Sequence, residues 1–429
     1  MSDSDVPPPE AQQPRRPVIP AVLAAVLGLT VLIAIVVAAT SGNGESDDAA
    51  AVEPTAVTTP SASTAAVPTP TPEPSPQNTE VPVTPSPTPV TLVPPSGAEC
   101  DFYVGPSGET AGDGTHDEPF GEFSQAMEQA APGAVVCVLP GRYDDPLRVT
   151  TSGESGSPIT VTGYEGTSVL SVRVEADHVL VEDLEVTGGS TPEGSGVLID
   201  GTGVTVRGNR IHDMVGTGVE CVQTFVDEPP RCVNATIIDN TIWSIDGWGV
   251  WVWGDGNRVI GNDISRVFAV SHQDADAIRF FGSNHEFRGN YIHDIYESDA
   301  ADGLDPHSDC FQSYDVEANY AALENIVIAD NVCSTDRHGV IITQLRGLPA
   351  SNIRIENNVF ESNGAAVGLL LGDGGGPNIQ YSGVTLANNI ITGQIDFNGI
   401  QAYNGENVDM FNNVFYGDFY PFTGPSLDE

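Results

Sequence analysis

Three short stretches of the chain gather acids and imidazoles: Asp274 and Asp276 in HQDADAIRFF, His307 and Asp309 in DGLDPHSDCFQSY, and Asp336 and His338 in STDRHGV. Such groups held in one place can exchange protons with a bound molecule, and carboxylates crowded together either raise a pKa or share a cation. Arg279 and Arg337 stand in the same stretches, with Gln312, Trp251, Trp253, Phe281 and Tyr314 close by. Polar groups bordered by aromatic rings suit a glycan. Residues so remote along a chain can act together only if the fold repeats at a matching period.

A repeat of that kind is visible. From about residue 200 the phrases VRGNRI, IIDNTI, VIGNDI, FRGNYI, IADNVC, IENNVF, LANNII and MFNNVF recur, with shared asparagines at 209, 240, 262, 290, 331, 358, 389 and 413. Each phrase alternates apolar and polar residues for a few positions, which specifies a short strand, and Gly, Asp and Asn punctuate the turns. Strands recurring at this period specify a solenoid of parallel strands stacked roughly 4.8 Å apart, with the asparagines as an internal ladder. The usual hand of parallel crossovers makes it right-handed. The fold class is therefore all-β, a right-handed parallel β-helix.

A second set of phrases aligns the coils: GSGVLID, GTGVECV, GWGVWVW, ADAIRFF, SDCFQSY, HGVIITQ, AAVGLLL and NGIQAYN. Val197, Val219, Val250, Ile278, Phe311, Val340, Val367 and Ile400 form the inward column if these phrases superpose. Skipping the small residue before each sends Thr217, Trp248, Asp276, Asp309 and His338 outward in one column. Glu220, Trp251, Arg279, Gln312 and Ile341 form another, with Asp246, Asp274, His307 and Asp336 at the strands' entry. The carboxylates then stack at coil spacing on one outer strip, and Ca²⁺ shared by Asp274 and Asp336 is the expected way of relieving their repulsion.

The segment FYVGPSGETAGDGTHDEPFGEFSQAMEQAAPGAVVCVLPGRYDD resembles the opening of pectate-lyase-like right-handed β-helix proteins. That resemblance implies an N-terminal capping helix over residues 120–131, with Phe123, Ala126, Met127 and Ala130 closing the solenoid's end. It speaks for fold, because this scaffold carries lyases, hydrolases, epimerases and binders alike. Locally, GLDPHSD and TDRHG are similar to motifs of mannuronan C5-epimerases. The similarity implies that Arg337 neutralises a uronate carboxylate, Asp305 supports it, and His307 and His338 handle protons. Asp302 stands where those enzymes have a tyrosine, leaving Tyr314 as the available phenol. The order Asp276, Asp309, His338 is also similar to the spaced motifs of polygalacturonases, which invert with two carboxylates, although the doubled aspartate is single here and the downstream lysine is absent.

Composition bounds the rest. All 15 basic residues are arginines against 59 acids, a formal net charge of −44. Chemistry that needs a lysine is excluded, and nucleic acid is repelled. Residues 18–40 carry no charge and follow Arg15 and Arg16, which predicts one transmembrane helix with residues 1–17 cytoplasmic. Residues 41–98 are rich in Pro, Thr and Ser and read as an extended, disordered extracellular linker. Residues 99–429 form the β-helix domain. Its six cysteines read as disulfides of an oxidising compartment, Cys100 with Cys137, Cys221 with Cys232 and Cys310 with Cys333 being one of 15 possible connectivities. These readings converge on a membrane-anchored extracellular protein acting on polysaccharide, by lyase or epimerase chemistry, by hydrolysis, or by binding alone.

Overall fold

The computed structural model describes residues 97–420, except 98, 110–111, 190–193, 223–227, 273, 302–305, 315–321, 344–349, 363–366, 373–380, 393, 397–407 and 417–418. The expected cytoplasmic tail, transmembrane helix and most of the linker lie outside these residues, as does Asp305. Among the described residues, no helix is long and apolar enough to cross a membrane.

Among the described residues, all the ladders between strands are parallel, in a sheet of 12 strands and a second of 20. The second sheet holds two of the solenoid's three walls, because strands such as Arg210–Cys221 and Thr241–Val252 run on through the bend between them. Three apolar columns face inward. One runs Val206, Ile237, Val259, Phe287, Ile328, Ile355, Leu386, and a second runs Ile211, Ile242, Ile264, Ile292, Cys333, Phe360, Ile391. The third runs Val197, Val219, Val250, Ile278, Phe311, Val340, Leu369. All are buried, and each such side chain contributes roughly 1.5–3 kcal/mol by leaving water.

The asparagine ladder occupies one corner. The Asn290 carboxamide oxygen accepts from the Asn262 backbone N–H and side-chain amide, both at 3.0 Å, while its own amide donates to the Val259 carbonyl at 2.9 Å and to Asn331 Oδ1 at 3.0 Å. The pattern continues from Asn209 to Asn413. The corner is tight. The residue before each rung is Gly, Asp or Asn, at φ from +56° to +67°, a region these types enter at least cost.

The third wall explains why a small residue precedes each inward apolar one. A Cβ on Gly218 or Gly249 would lie 2.9 Å from the buried Cγ2 of Ile242 or Ile264, so this position too points into the core. Two successive residues thus face inward, and those on either side both face out, three apart. This places Asp276 and Arg279 on the same outer surface. The alignment expected from sequence holds from Val197 to Val340 and then slips by two, since Val340 pairs with Leu369 rather than Val367. A further irregularity separates Val367 from Leu369 on the next pairing, and Ile400 lies outside the described residues.

A helix at Phe123–Gln129, shorter than the 12 residues expected, buries Phe123, Ala126 and Met127 and packs on the strands Phe102–Glu109 and Leu147–Val149. Three disulfides form, Cys100–Cys137, Cys221–Cys232 and Cys310–Cys333. The last joins neighbouring coils through the interior, next to the outer strip.

Candidate functional site

The strip is assembled by register. Trp248 pairs with Asp276 and Asp309 with His338, while Trp251, Arg279, Gln312 and Ile341 follow one another in the adjacent column. The segments leading into these strands are tied to one another beside it. Asp246 accepts the backbone N–H groups of Val270 at 2.7 Å and Ser271 at 2.9 Å. Ala301 donates to the Ala269 carbonyl and Ala275 to the His307 carbonyl, both at 2.9 Å, stacking two connections on each other. Asp276 and Asp309 point away from the core and yet are 0% exposed, enclosed by Arg279, Gln312 and His338.

Arg279 organises one half. Its guanidinium donates to Asp276 at 2.6 Å through Nε, to Asp274 through Nη2, and to the Tyr314 hydroxyl at 3.3 Å. Trp248, Trp251 and Tyr314 rings surround it, their centroids 4.9, 5.6 and 5.3 Å from Cζ. Burial acts to lower the Arg279 pKa, but Asp276 and Asp274 outweigh it and hold the group charged. Burial pushes Asp276 well above the ordinary carboxylate range; Arg279 opposes this, and Asp274 and Asp309 add to it. Asp274 is raised for the same first reason. With one guanidinium among three carboxylates, the cluster favours holding an extra proton or cation.

The other half is an acid–imidazole group. His338 Nδ1 and Asp309 Oδ1 are hydrogen-bonded at 2.6 Å, and the Gln312 amide donates to Asp309 Oδ2 at 3.0 Å. His307 Nδ1 stands 3.9 Å from the same carboxylate and 3.4 Å from the Gln312 amide. The His307 side chain is 46% exposed, and its ring meets His338 edge-on with centroids 5.5 Å apart. Arg337 lies half-buried in the bend before His338, within the field of Asp274, and burial lowers its pKa.

The expected residues thus divide. Asp274, Asp276, Arg279, His307, Asp309, Gln312, His338, Trp251 and Tyr314 come together. Trp253 and Phe281 do not offer rings to a ligand. Each is 3% exposed, and they stack on each other at 4.4 Å within the apolar cluster, with Phe281 bracing Tyr314. The Asp336 carboxyl is raised by burial, to which Asp299 adds, and its N–H reaches the Ile295 carbonyl at 3.4 Å. Two more residues of the outward columns, given no role from the sequence, belong to the strip. Trp248 covers Arg279 and meets Trp251 at 4.5 Å. Glu220, one rung from Trp251, accepts the Ser195 hydroxyl, and burial raises its pKa.

Ca²⁺ fits this donor set poorly. It takes six to eight oxygens, whereas Asp274 and Asp276 are engaged by Arg279 and the remaining cluster brings two imidazoles with one carboxylate.

Fold and ladder together define a solenoid of parallel β-strands. The family described as right handed beta helix region matches residues 164–264 and 230–415, more than half of the chain, and the protein belongs to it. Solved structures similar to it include pectate lyase Pel9A, 17% identical with a TM-score of 0.49, over 78% of this chain and 80% of that one. The alginate lyase from Paenibacillus sp. str. FPU-7 is 15% identical with a TM-score of 0.39, over 70% and 96%. The lacto-N-biosidase from Eubacterium ramulus is 12% identical with a TM-score of 0.43, over 73% and 67%. No curated protein matches the sequence.

Proposed function

We propose that the protein acts on a polysaccharide and moves a proton at the carbon beside a uronate carboxylate, as a lyase or a C5-epimerase does. The observation that carries this reading is the 2.6 Å contact between buried Asp309 and His338. A carboxylate that holds one ring nitrogen orients the imidazole and leaves the other nitrogen to serve as base. His307, half-exposed and edge-on to His338, is the second proton carrier. Arg337 offsets the uronate charge, and Trp251 and Tyr314 border the sugar. Asp276, Arg279 and Gln312 act as positioning residues. Hydrolysis by two carboxylates is less well supported, because Asp276 and Asp309 are both fully buried and held by Arg279, His338 and Gln312.

The proposal includes location. Residues 18–40 anchor the chain in the membrane, residues 41–98 form the linker, and the β-helix lies outside the cell, a placement with which three disulfides agree. Protease digestion of intact cells should release the β-helix and leave the first 17 residues protected.

The test of activity uses the solubilised full chain on a panel of uronans and neutral glycans. Ultraviolet absorbance from an unsaturated product identifies a lyase, and solvent deuterium entering C5 without chain cleavage identifies an epimerase. New reducing ends without unsaturation would replace the proposal by hydrolysis, and saturable binding without turnover would replace it by a binding role.

A further inference from the structure

We propose that His307, Asp309 and His338 bind one divalent ion of the Zn²⁺ class, and that this ion, not Ca²⁺, is the cation suited to the strip. Among the described residues, these three form the one group of His, Cys, Asp or Glu side chains whose donor atoms can share an ion, all lying within 4.8 Å of one another. Ligands at about 2.0–2.1 Å from a tetrahedral Zn²⁺ stand about 3.3 Å apart. The separations from Asp309 to the two rings, 2.6 Å for His338 and 3.9 Å for His307, bracket that spacing.

Chemistry selects the ion. Two imidazoles and one carboxylate suit a borderline metal, whereas Ca²⁺ and Mg²⁺ take oxygen ligands. Three protein ligands leave a fourth position, and the exposed edge of His307 gives it access to solvent.

A separate observation points to the same place. Gln312 Oε1 and Ser308 Oγ are buried without a hydrogen-bond partner, on residues only 4% and 1% exposed. Ser308 lies between two of the ligands in sequence, and the Gln312 amide nitrogen already contacts Asp309 and His307. Orphaned polar atoms beside a donor set are what an ion and its bound water satisfy. The buried carboxylates, which outnumber Arg279, also favour a dication.

Metal binding is independent of the glycan reading and is measured without saccharide. An ion would replace the hydrogen bond between Asp309 and His338, so loaded and ion-free protein would differ in proton transfer; that consequence alone rests on the function proposed above. The experiment titrates chelator-treated, solubilised full chain with Zn²⁺ by calorimetry and with Co²⁺ by visible absorption. The expected result is one ion per chain, Co²⁺ bands that Zn²⁺ abolishes, and no competition from millimolar Ca²⁺. H307Q, at a half-exposed position that tolerates change, should weaken binding about tenfold and H307Q/H338Q about 100-fold or more, while D336N stays within about threefold. Absence of saturable binding in folded protein, affinity unchanged in both His variants, or equal competition by Ca²⁺ would each overturn the proposal.

Discussion

Two columns of buried polar side chains run along the same solenoid, built on opposite plans. The ladder from Asn209 to Asn413 repeats one residue coil after coil, and each internal amide finds partners on its neighbours. The outer strip changes residue at each coil, from Thr217 and Trp248 to Asp276, Asp309 and His338. It leaves Asp274 Oδ1, Asp276 Oδ1, Ser308 Oγ and Gln312 Oε1 buried and unmatched. An unmatched buried group costs about 1–3 kcal/mol, so a solenoid serving stability alone would complete the strip as it completes the ladder. Repetition with every group paired marks architecture. Variation with groups left open marks a place kept for something that is not protein.

The sharpest test of that contrast is at the strip. D309N keeps the shape of the side chain but cannot hold His338 as a charged partner, and H338Q removes the imidazole. Both should lower turnover by about 10²- to 10⁴-fold, the usual weight of a positioned acid or base, with little change in unfolding midpoint. Activity retained in both would transfer the strip to the structural class.

The ladder should respond in the reverse sense. Asn290→Ala strips partners from Asn262, the Val259 carbonyl and Asn331 at once, and should cost about 3 kcal/mol or more in urea unfolding. Turnover per folded molecule should hold. A loss below about 1 kcal/mol would mean that the corner is held by its apolar neighbours instead.

His285 offers a pH-dependent version. It is fully buried, accepting from the Asn257 backbone at 3.2 Å and standing 3.0 Å from the Phe281 carbonyl, and burial pulls its pKa from 6.5 to about 4. The unfolded chain then binds the proton more readily than the folded one. Stability from this group is present above pH 6.5 and is lost as pH falls toward 4, by up to about 3 kcal/mol. H285N, which places the residue type of Asn257 on the next coil, should flatten that part of the profile; an identical pH dependence in wild type and variant would discount it.

The smallest effect belongs to the exposed surface. Arg258 pairs with Glu286 at 3.0 Å on the outside of neighbouring coils. R258A should change stability by less than about 1 kcal/mol. A larger loss would show that outward pairs matter to the solenoid as much as the ladder does.

How far each column was legible follows from its construction. The ladder could be read directly because the same phrase returns, from VRGNRI to MFNNVF, and one residue type implies one environment. The strip could be aligned because a small residue always precedes the inward one, which carries the register from Val197 to Val340. It fails at Val367, because Val340 pairs with Leu369 two residues on. Trp253 and Phe281 show another limit, since aromatic type does not distinguish a sugar platform from a buried stack.

The amino-acid order alone specified parallel coils, an interior asparagine corner and a set of acids and imidazoles on one flank, because each depends on spacing that repeats along the chain. Only the tertiary structure decided that the flank is covered, that Arg279 takes Asp274 and Asp276 for itself, and that Asp309 is left to two histidines. Those outcomes depend on which side chains of neighbouring coils meet across connections of irregular length, and irregular lengths leave no period to read.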